Sequence, residues 1–194
     1  MEKTYFFFDI DGTLTDRSTG KIVPSAREAL DRLEANGHFV AIATGRAHYK
    51  ARKFTGANGF KNMVCCGGNG CVINNELVEN IPLDKEGCLQ IIHQSEELGY
   101  GWCVALDDTK DVYMTDDKFL RQVGKRKEPT RYIIDDMLDI DSVDAIYKIY
   151  VAIPKEEEEK LTKKELIGHL RFEPEYLMFQ PDNKRGGIVK MMEY

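Results

Sequence analysis

The stretch Tyr5-Phe6-Phe7-Phe8-Asp9-Ile10-Asp11-Gly12-Thr13-Leu14-Thr15 decides the fold. Four consecutive aromatic residues suit a β-strand buried on both faces, and the run stops abruptly at two acids and a glycine. Asp9 and Asp11 are two residues apart, so in an extended chain they point the same way, and Gly12 lets the backbone turn off the strand end. Carboxylates at the mouth of a sheet stand where open α/β sheets bind their ligands. Such a pair repels itself and is costly to bury without a cation, which makes a hard ion such as Mg²⁺ its natural partner. The plain alternative is an acidic turn that caps a loop.

Working outward, Ala26, Ala29, Leu30 and Leu33 recur at helical spacing between Pro24 and Asn36, with Gly37 just beyond. That helix leads into a second apolar run, Phe39 to Thr44, so the two strands are expected to lie parallel in a right-handed βαβ unit with Thr44 beside Asp9. Gly45, Arg46 and a helical segment to about Thr55 follow. A hydroxyl, a glycine backbone and a helix N-terminus then share one place, a combination that attracts phosphate. A third strand, Met63 to Cys66, ends in Gly67-Gly68-Asn69-Gly70, and Val72 to Val78 reads as a hairpin turning at Asn74-Asn75. The glycine cluster lacks the lysine and hydroxyl of a P-loop, so it is turn chemistry.

From Pro82 the pattern changes. Leu83–Leu98 reads as an amphipathic helix, Tyr100–Leu106 and Lys110–Thr115 as strands, and Asp117–Val123 as a basic helix. Val143–Ile146 is expected as a short helix, Tyr147–Ile153 as a strand, Lys155–Ile167 as a charged helix and Leu170–Phe179 as a strand. Alternation in these strands predicts a sheet with one covered face. Residues 82–179 are therefore expected to form an α/β domain inserted into a first domain of residues 1–81 and 180–194. Beyond it, Lys184 stands at a helix start, where a cation works against the helix dipole unless an anion is bound, with Arg185 as the alternative.

Asp9 to Thr15 resembles motif I of the haloacid dehalogenase-like (HAD) phosphatases, Asp-x-Asp-Gly-Thr-Leu-Thr, without a break. Thr44-Gly45-Arg46 is similar to their motif II, and Lys184 occupies the kind of position held by their motif III lysine. The inserted segment resembles the subtype IIB cap of the Cof-type branch. The resemblance implies a Rossmann-like, doubly wound parallel α/β core. It implies Asp9 as nucleophile and Asp11 as general acid and base, with both at the Mg²⁺ site. Gly12, Thr44, Gly45 and Lys184 would bind the phosphoryl group, and Arg46 and Asn69 would lie near the substrate. The implied reaction is hydrolysis of a small phosphate monoester, a sugar phosphate or similar metabolite, through an aspartyl-phosphate. In the family a Gly-Asp-Gly and Asn-Asp segment completes the metal site, whereas no Gly-Asp-Gly occurs in this sequence. The chain is thus expected to be a poor phosphatase as it stands, a fragment or a degenerate remnant, with apolar helix faces at Ile188, Val189, Met191 and Met192 that favour self-association.

Composition sets the outer bounds. The chain has 194 residues, 42% hydrophobic and 31% charged, enough for one large or two small domains. A net charge of −6, an isoelectric point near 5.3 and scattered Lys and Arg speak against nucleic acid and for a small phosphorylated substrate. The one basic stretch holds Lys118, Arg121, Lys125, Arg126, Lys127 and Arg131, a substrate-facing surface or a solvated face. Glu156 to Lys160 is a solvated face rather than a metal site. Cys65, Cys66, Cys71, Cys88 and Cys103 are odd in number and show no Cys-x-x-Cys, so they read as reduced thiols, and no segment has the length and apolarity of a membrane span. The expected location is the cytoplasm. A receiver-like phosphoacceptor domain is the rival, and it predicts no inserted domain.

Overall fold

The computed structural model describes residues 2–16, 18–126 and 130–194. The chain divides into two compact units, Met1–Asn80 with Asp182–Tyr194, and Ile81–Pro181. Lys127 of the basic stretch lies outside the described residues.

The first unit is built on a sheet in the order β1 (Tyr5–Phe8), β2 (Phe39–Ala43), β3 (Met63–Cys65), β4 (Gly70–Ile73) and β5 (Glu76–Asn80). β1, β2 and β3 run parallel, and β4 and β5 add an antiparallel hairpin. The crossover between β1 and β2 is α1 (Pro24–Ala35), which opens on Pro24 and closes with Gly37 at φ +79°. Leu30 and Ala51, the latter on α2 (His48–Ala57), join Ile10, Leu14, Ile42 and Met63 on one side of the sheet. Met191 on α5 (Lys184–Met191) joins Ala41, Ala43, Val64 and Cys71 on the other. Helices on both faces of a largely parallel sheet make this a doubly wound α/β arrangement. The β4–β5 turn falls on Asn74 and Asn75, both with left-handed φ (+51° and +70°), as a primed hairpin turn requires. β1 departs from expectation: it lies at an edge of this sheet, so Tyr5 is 45% exposed and Phe6 to Phe8 are only half-buried.

In the second unit the sheet order is β10 (His169–Glu173), β11 (Tyr176–Phe179), β9 (Lys148–Val151), β6 (Trp102–Ala105), β7 (Asp111–Met114), β8 (Arg131–Ile134). Among the described residues only the β7–β8 pairing of this sheet is parallel. The central strands are buried on both faces, not one. Val104, Ile149, Val151 and Leu177 pack with Ile91 and Ile92 of α3 (Lys85–Glu97), while Cys103, Tyr150 and Met178 pack with Phe119 of α4 (Lys118–Val123).

Three local expectations are corrected. No helix forms at Val143–Ile146: a 3-10 turn at Ile140–Ser142, capped by Asp139, comes first, and Val143 is already extended. Lys155–Ile167 is two 3-10 segments, Lys155–Lys160 and Thr162–Leu166, broken at Leu161. Leu161 is wholly buried there, and Glu158 is drawn to Arg171 and Lys164, so burial and ion pairing override the helical spacing. Leu170–Phe179 is a hairpin, not one strand, because Pro174 and Glu175 turn the chain between β10 and β11. The basic stretch is likewise only partly a solvated face. Arg121 pairs with Asp117 and Arg131 with Asp111, but the Arg126 guanidinium lies 3.7 Å from the Tyr150 ring centre, packed against the sheet.

Candidate active site

The site forms where β1 and β2 end. Phe8 lies opposite Ile42, so continuing that parallel register brings Asp9 level with Ala43, one residue before Thr44. The turn after β1 is held at Ile10, whose carbonyl accepts hydrogen bonds from the backbone N–H groups of Leu14 and Thr15 and from Thr15 Oγ1 (3.2, 3.1 and 2.9 Å). Ile10 and Leu14 are anchored in the core, and Gly12 takes φ +77° between them. Burying Ile10 leaves the carboxylates of Asp9 and Asp11 on the open side of the chain, as the alternation of an extended segment requires.

Each carboxylate faces a cation. Lys184 Nζ donates to Asp9 Oδ1 at 3.0 Å, across 175 positions of sequence. Arg46 grips Asp11 with both arms, Nε to Oδ2 at 2.8 Å and NH2 to Oδ1 at 2.5 Å. The Arg46 guanidinium lies 5.8 Å from the Phe54 ring centre, one side of its fork resting on α2. Hydrogen bonding from Arg46, with the charges of Arg46, Lys50 and Lys184, holds the Asp11 carboxyl below its ordinary range. Thr44 is buried, its N–H bound to Val64 O (2.9 Å) and its Oγ1 accepting the Arg46 N–H (3.2 Å), which folds Gly45 into a tight turn before α2.

Glycines set the position of Lys184. Asn183 caps α5 by accepting the Gly186 N–H on its side chain, and its own N–H donates to Gly67 O at 2.8 Å. A Cβ on Gly68 would lie 2.2 Å from Asn183 O, and one on Gly187 would lie 2.5 Å from Gly68 O, so the start of α5 rests directly on the turn after β3. This places Lys184 against Asp9 and leaves Arg185 exposed, which decides between the two as partners of the acid. Asn69 closes the same turn, its N–H donating to Cys66 O at 3.4 Å. Lys50 escaped the sequence reading; it stands in the first turn of α2, which follows directly on the Thr44-Gly45-Arg46 turn.

The donor set fits a hard cation. Lys184 takes Asp9 Oδ1, while Asp9 Oδ2 accepts no hydrogen bond among the described residues and presents an open anionic oxygen. No cluster of three His, Cys, Asp or Glu is found among the described residues. Mg²⁺ commonly binds through one or two carboxylates, completing its shell with water and substrate phosphate, so two acids are compatible with it. Arg46, Lys50 and Lys184 all act on Asp11 through their positive charge, so cations gather with the two carboxylates at the strand ends.

The chain is 27% identical over 116 residues to "Putative phosphatase YkrA" of Bacillus subtilis, and the match covers 60% of this chain but 45% of that relative's length. A hypothetical protein from Geobacillus kaustophilus HTA426 superposes with a TM-score of 0.74 at 22% identity, covering 99% of this chain and 75% of the other. The HAD subclass IIB sugar phosphatase BT4131 superposes with a TM-score of 0.71 at 20% identity, covering 98% and 75%. These two likenesses establish the fold. Residues 6–183 match the family of haloacid dehalogenase-like hydrolases, a span that takes in both carboxylates, Arg46 and the whole second unit, and the chain belongs to that family.

Proposed function

We propose that this chain carries the machinery of a Mg²⁺-dependent phosphatase that hydrolyses a small phosphate monoester, a sugar phosphate or similar metabolite, through an aspartyl-phosphate. The observation that supports this most is the meeting of Asp9, Asp11, Arg46 and Lys184 beside the Thr44 turn, although they come from distant parts of the sequence.

In the reaction an Asp9 oxygen forms a bond to phosphorus as the bond from phosphorus to the substrate oxygen breaks, and Asp11 gives the departing oxygen a proton. Water then attacks the aspartyl-phosphate, gives its proton to Asp11 and releases phosphate. Lys184, Thr44 and the turn at Gly12 and Gly45 hold the phosphoryl oxygens. Mg²⁺, held by Asp9 and the Asp11 main-chain carbonyl, would neutralise charge on the phosphoryl group. Arg46 has two duties. Its planar fork, now closed on Asp11, equally suits a phosphate, and a substrate that draws Arg46 away frees the Asp11 carboxyl to rise towards the range an acid catalyst needs. The 81–181 unit serves as a cap that selects the substrate, as the likeness to a sugar phosphatase supports.

The test is a panel of alkyl, aryl and sugar phosphates assayed with and without Mg²⁺, with acid-trapped protein examined for a phosphoryl adduct. The expected result is metal-dependent phosphate release with the adduct on Asp9, lost in Asp9→Asn. Turnover that survives Asp9→Asn would overturn the reading.

A further inference from the structure

Cys65 and Cys66 are neighbours in sequence, and neighbouring side chains in a strand point to opposite faces. Here they converge. Cys65 is extended (φ −131°, ψ −174°) and Cys66 takes φ +53°, a left-handed conformation that few residues other than glycine adopt. The bend carries the second sulfur back over the first, and the two Sγ atoms lie 3.9 Å apart. Gly70, the cross-strand partner of Cys65 on β4, leaves room for them: a Cβ there would lie 2.4 Å from Cys65 Sγ and 3.3 Å from Cys66 Sγ. Cys65 is fully buried and Cys66 is partly exposed, so Cys66 is the residue of the pair nearer to solvent.

We propose that Cys65 and Cys66 form a redox modification site, a vicinal dithiol that closes reversibly into a disulfide with glutathione disulfide or a similar low-molecular-weight disulfide as oxidant. The Cys66 thiolate attacks one sulfur of glutathione disulfide and expels one glutathione thiolate. The Cys65 thiolate then attacks Cys66 Sγ, forming the protein disulfide and expelling the second. The two cysteines lose two electrons, the glutathione disulfide gains them, and the two thiol protons pass to the released glutathiones. Closing the ring shortens 3.9 Å to about 2.05 Å, so the backbone around Cys66 must shift. That backbone braces the site: Cys66 N–H donates to Arg46 O (2.8 Å), Gly67 N–H to Thr44 O (3.3 Å), and Gly67 O accepts from Asn183 N–H (2.8 Å). Oxidation therefore loosens the turn that carries Thr44 and Arg46 and the support of Lys184. Misplacement of positioning groups by about 1 Å can cost on the order of 10²-fold in rate, so a fall in phosphate-ester turnover of about tenfold or more is expected.

The experiment equilibrates reduced protein with a series of glutathione to glutathione disulfide ratios, quenches in acid, labels thiols with N-ethylmaleimide and weighs the peptide holding both cysteines. The expected product lacks two hydrogens, carries one label, on Cys71 of the same peptide, and none on Cys65 or Cys66, arises in monomeric protein and reverts with dithiothreitol. Cys71→Ser behaves the same, whereas Cys66→Ser keeps Cys65 as a labelled thiol and keeps its turnover under oxidation. Labelling of both cysteines at every ratio, a stable glutathione adduct on Cys66, or pairing with Cys71 would each overturn the proposal. The mass measurement stands whether or not the protein is a phosphatase. Ring closure that leaves turnover unchanged in an active protein would overturn the coupling to the site.

Discussion

Replacing Arg46 with methionine separates its structural from its chemical duty. In the folded chain the guanidinium makes two hydrogen bonds to Asp11, but the Asp11 side chain is 61% exposed, against 22% for Arg46. Ion pairs this open to solvent are worth about 1 kcal/mol or less, and the Asp11 carboxyl should rise towards its ordinary range when the Arg46 hydrogen bonds and charge are lost. Methionine keeps an apolar stem against Phe54, and the thermal midpoint at neutral pH should fall by no more than about 2–4 °C. Asp11 is depressed when folded, so the stabilisation is present above the ordinary value of 3.8 and is lost as pH falls through the folded pKa. Melting curves of the two proteins should thus differ at pH 7 and converge in acid. Turnover should fall far more, about 10²–10³-fold, the usual loss when a donor to a transition-state oxyanion is removed. Carboxyl NMR titration, calorimetry and phosphate-ester kinetics measure the three quantities. An Asp11 titration unchanged by the substitution, or losses of stability and turnover of equal size, would refute this account of Arg46.

Asp11→Asn should slow hydrolysis more for alkyl than for aryl phosphates, since a proton matters most to the poorest leaving group, and equal losses would count against an acid role. Gly187→Ala forces a Cβ within 2.5 Å of Gly68 O and 2.6 Å of Val64 Cγ1, and should cost about 1–3 kcal/mol in urea denaturation. Gly56→Ala, on α2 with nothing within 4 Å of the new Cβ, should instead stabilise by roughly 0.5–1 kcal/mol, and a reversed order would undo the packing described for α5. His93, raised above its ordinary value by hydrogen bonds to Asp141 and then to Glu96, contributes stability below pH 6.5 that is lost as pH rises through its folded pKa. The pair is exposed, so His93→Gln should remove about 1 kcal/mol or less at pH 5.5 and nothing at pH 9.

What was legible in the sequence is what period and punctuation encode. The βαβ unit was readable from Ala26, Leu30 and Leu33 with Pro24 and Gly37 at the ends, and the hairpin from Asn74-Asn75, because single residues carry those instructions locally. The failures fell where local spacing lost to distant partners. Leu161 is pulled into the core of its unit and Glu158 towards Arg171, so a charged run with helical spacing becomes two 3-10 segments. The aromatic run at Tyr5 to Phe8 announced a strand, but aromatic content cannot say whether a strand is central or at an edge.

In the site, Asp9, Asp11 and Thr44 were legible because each sits at a strand end, and Lys184 because a lysine at a helix start needs an anion. The closed fork of Arg46 on Asp11 was not legible, since 35 positions separate the two and no local rule joins them. That contact bears most on the mechanism. A carboxyl held ionised by arginine is a poor proton donor, so under the proposed mechanism Arg46 has to leave Asp11 before that carboxyl can act as the acid. A phosphate dianion competes for that cation with two charges against one. Its binding would unmask the acid as the phosphoryl group arrives, coupling substrate capture to the protonation state the reaction needs.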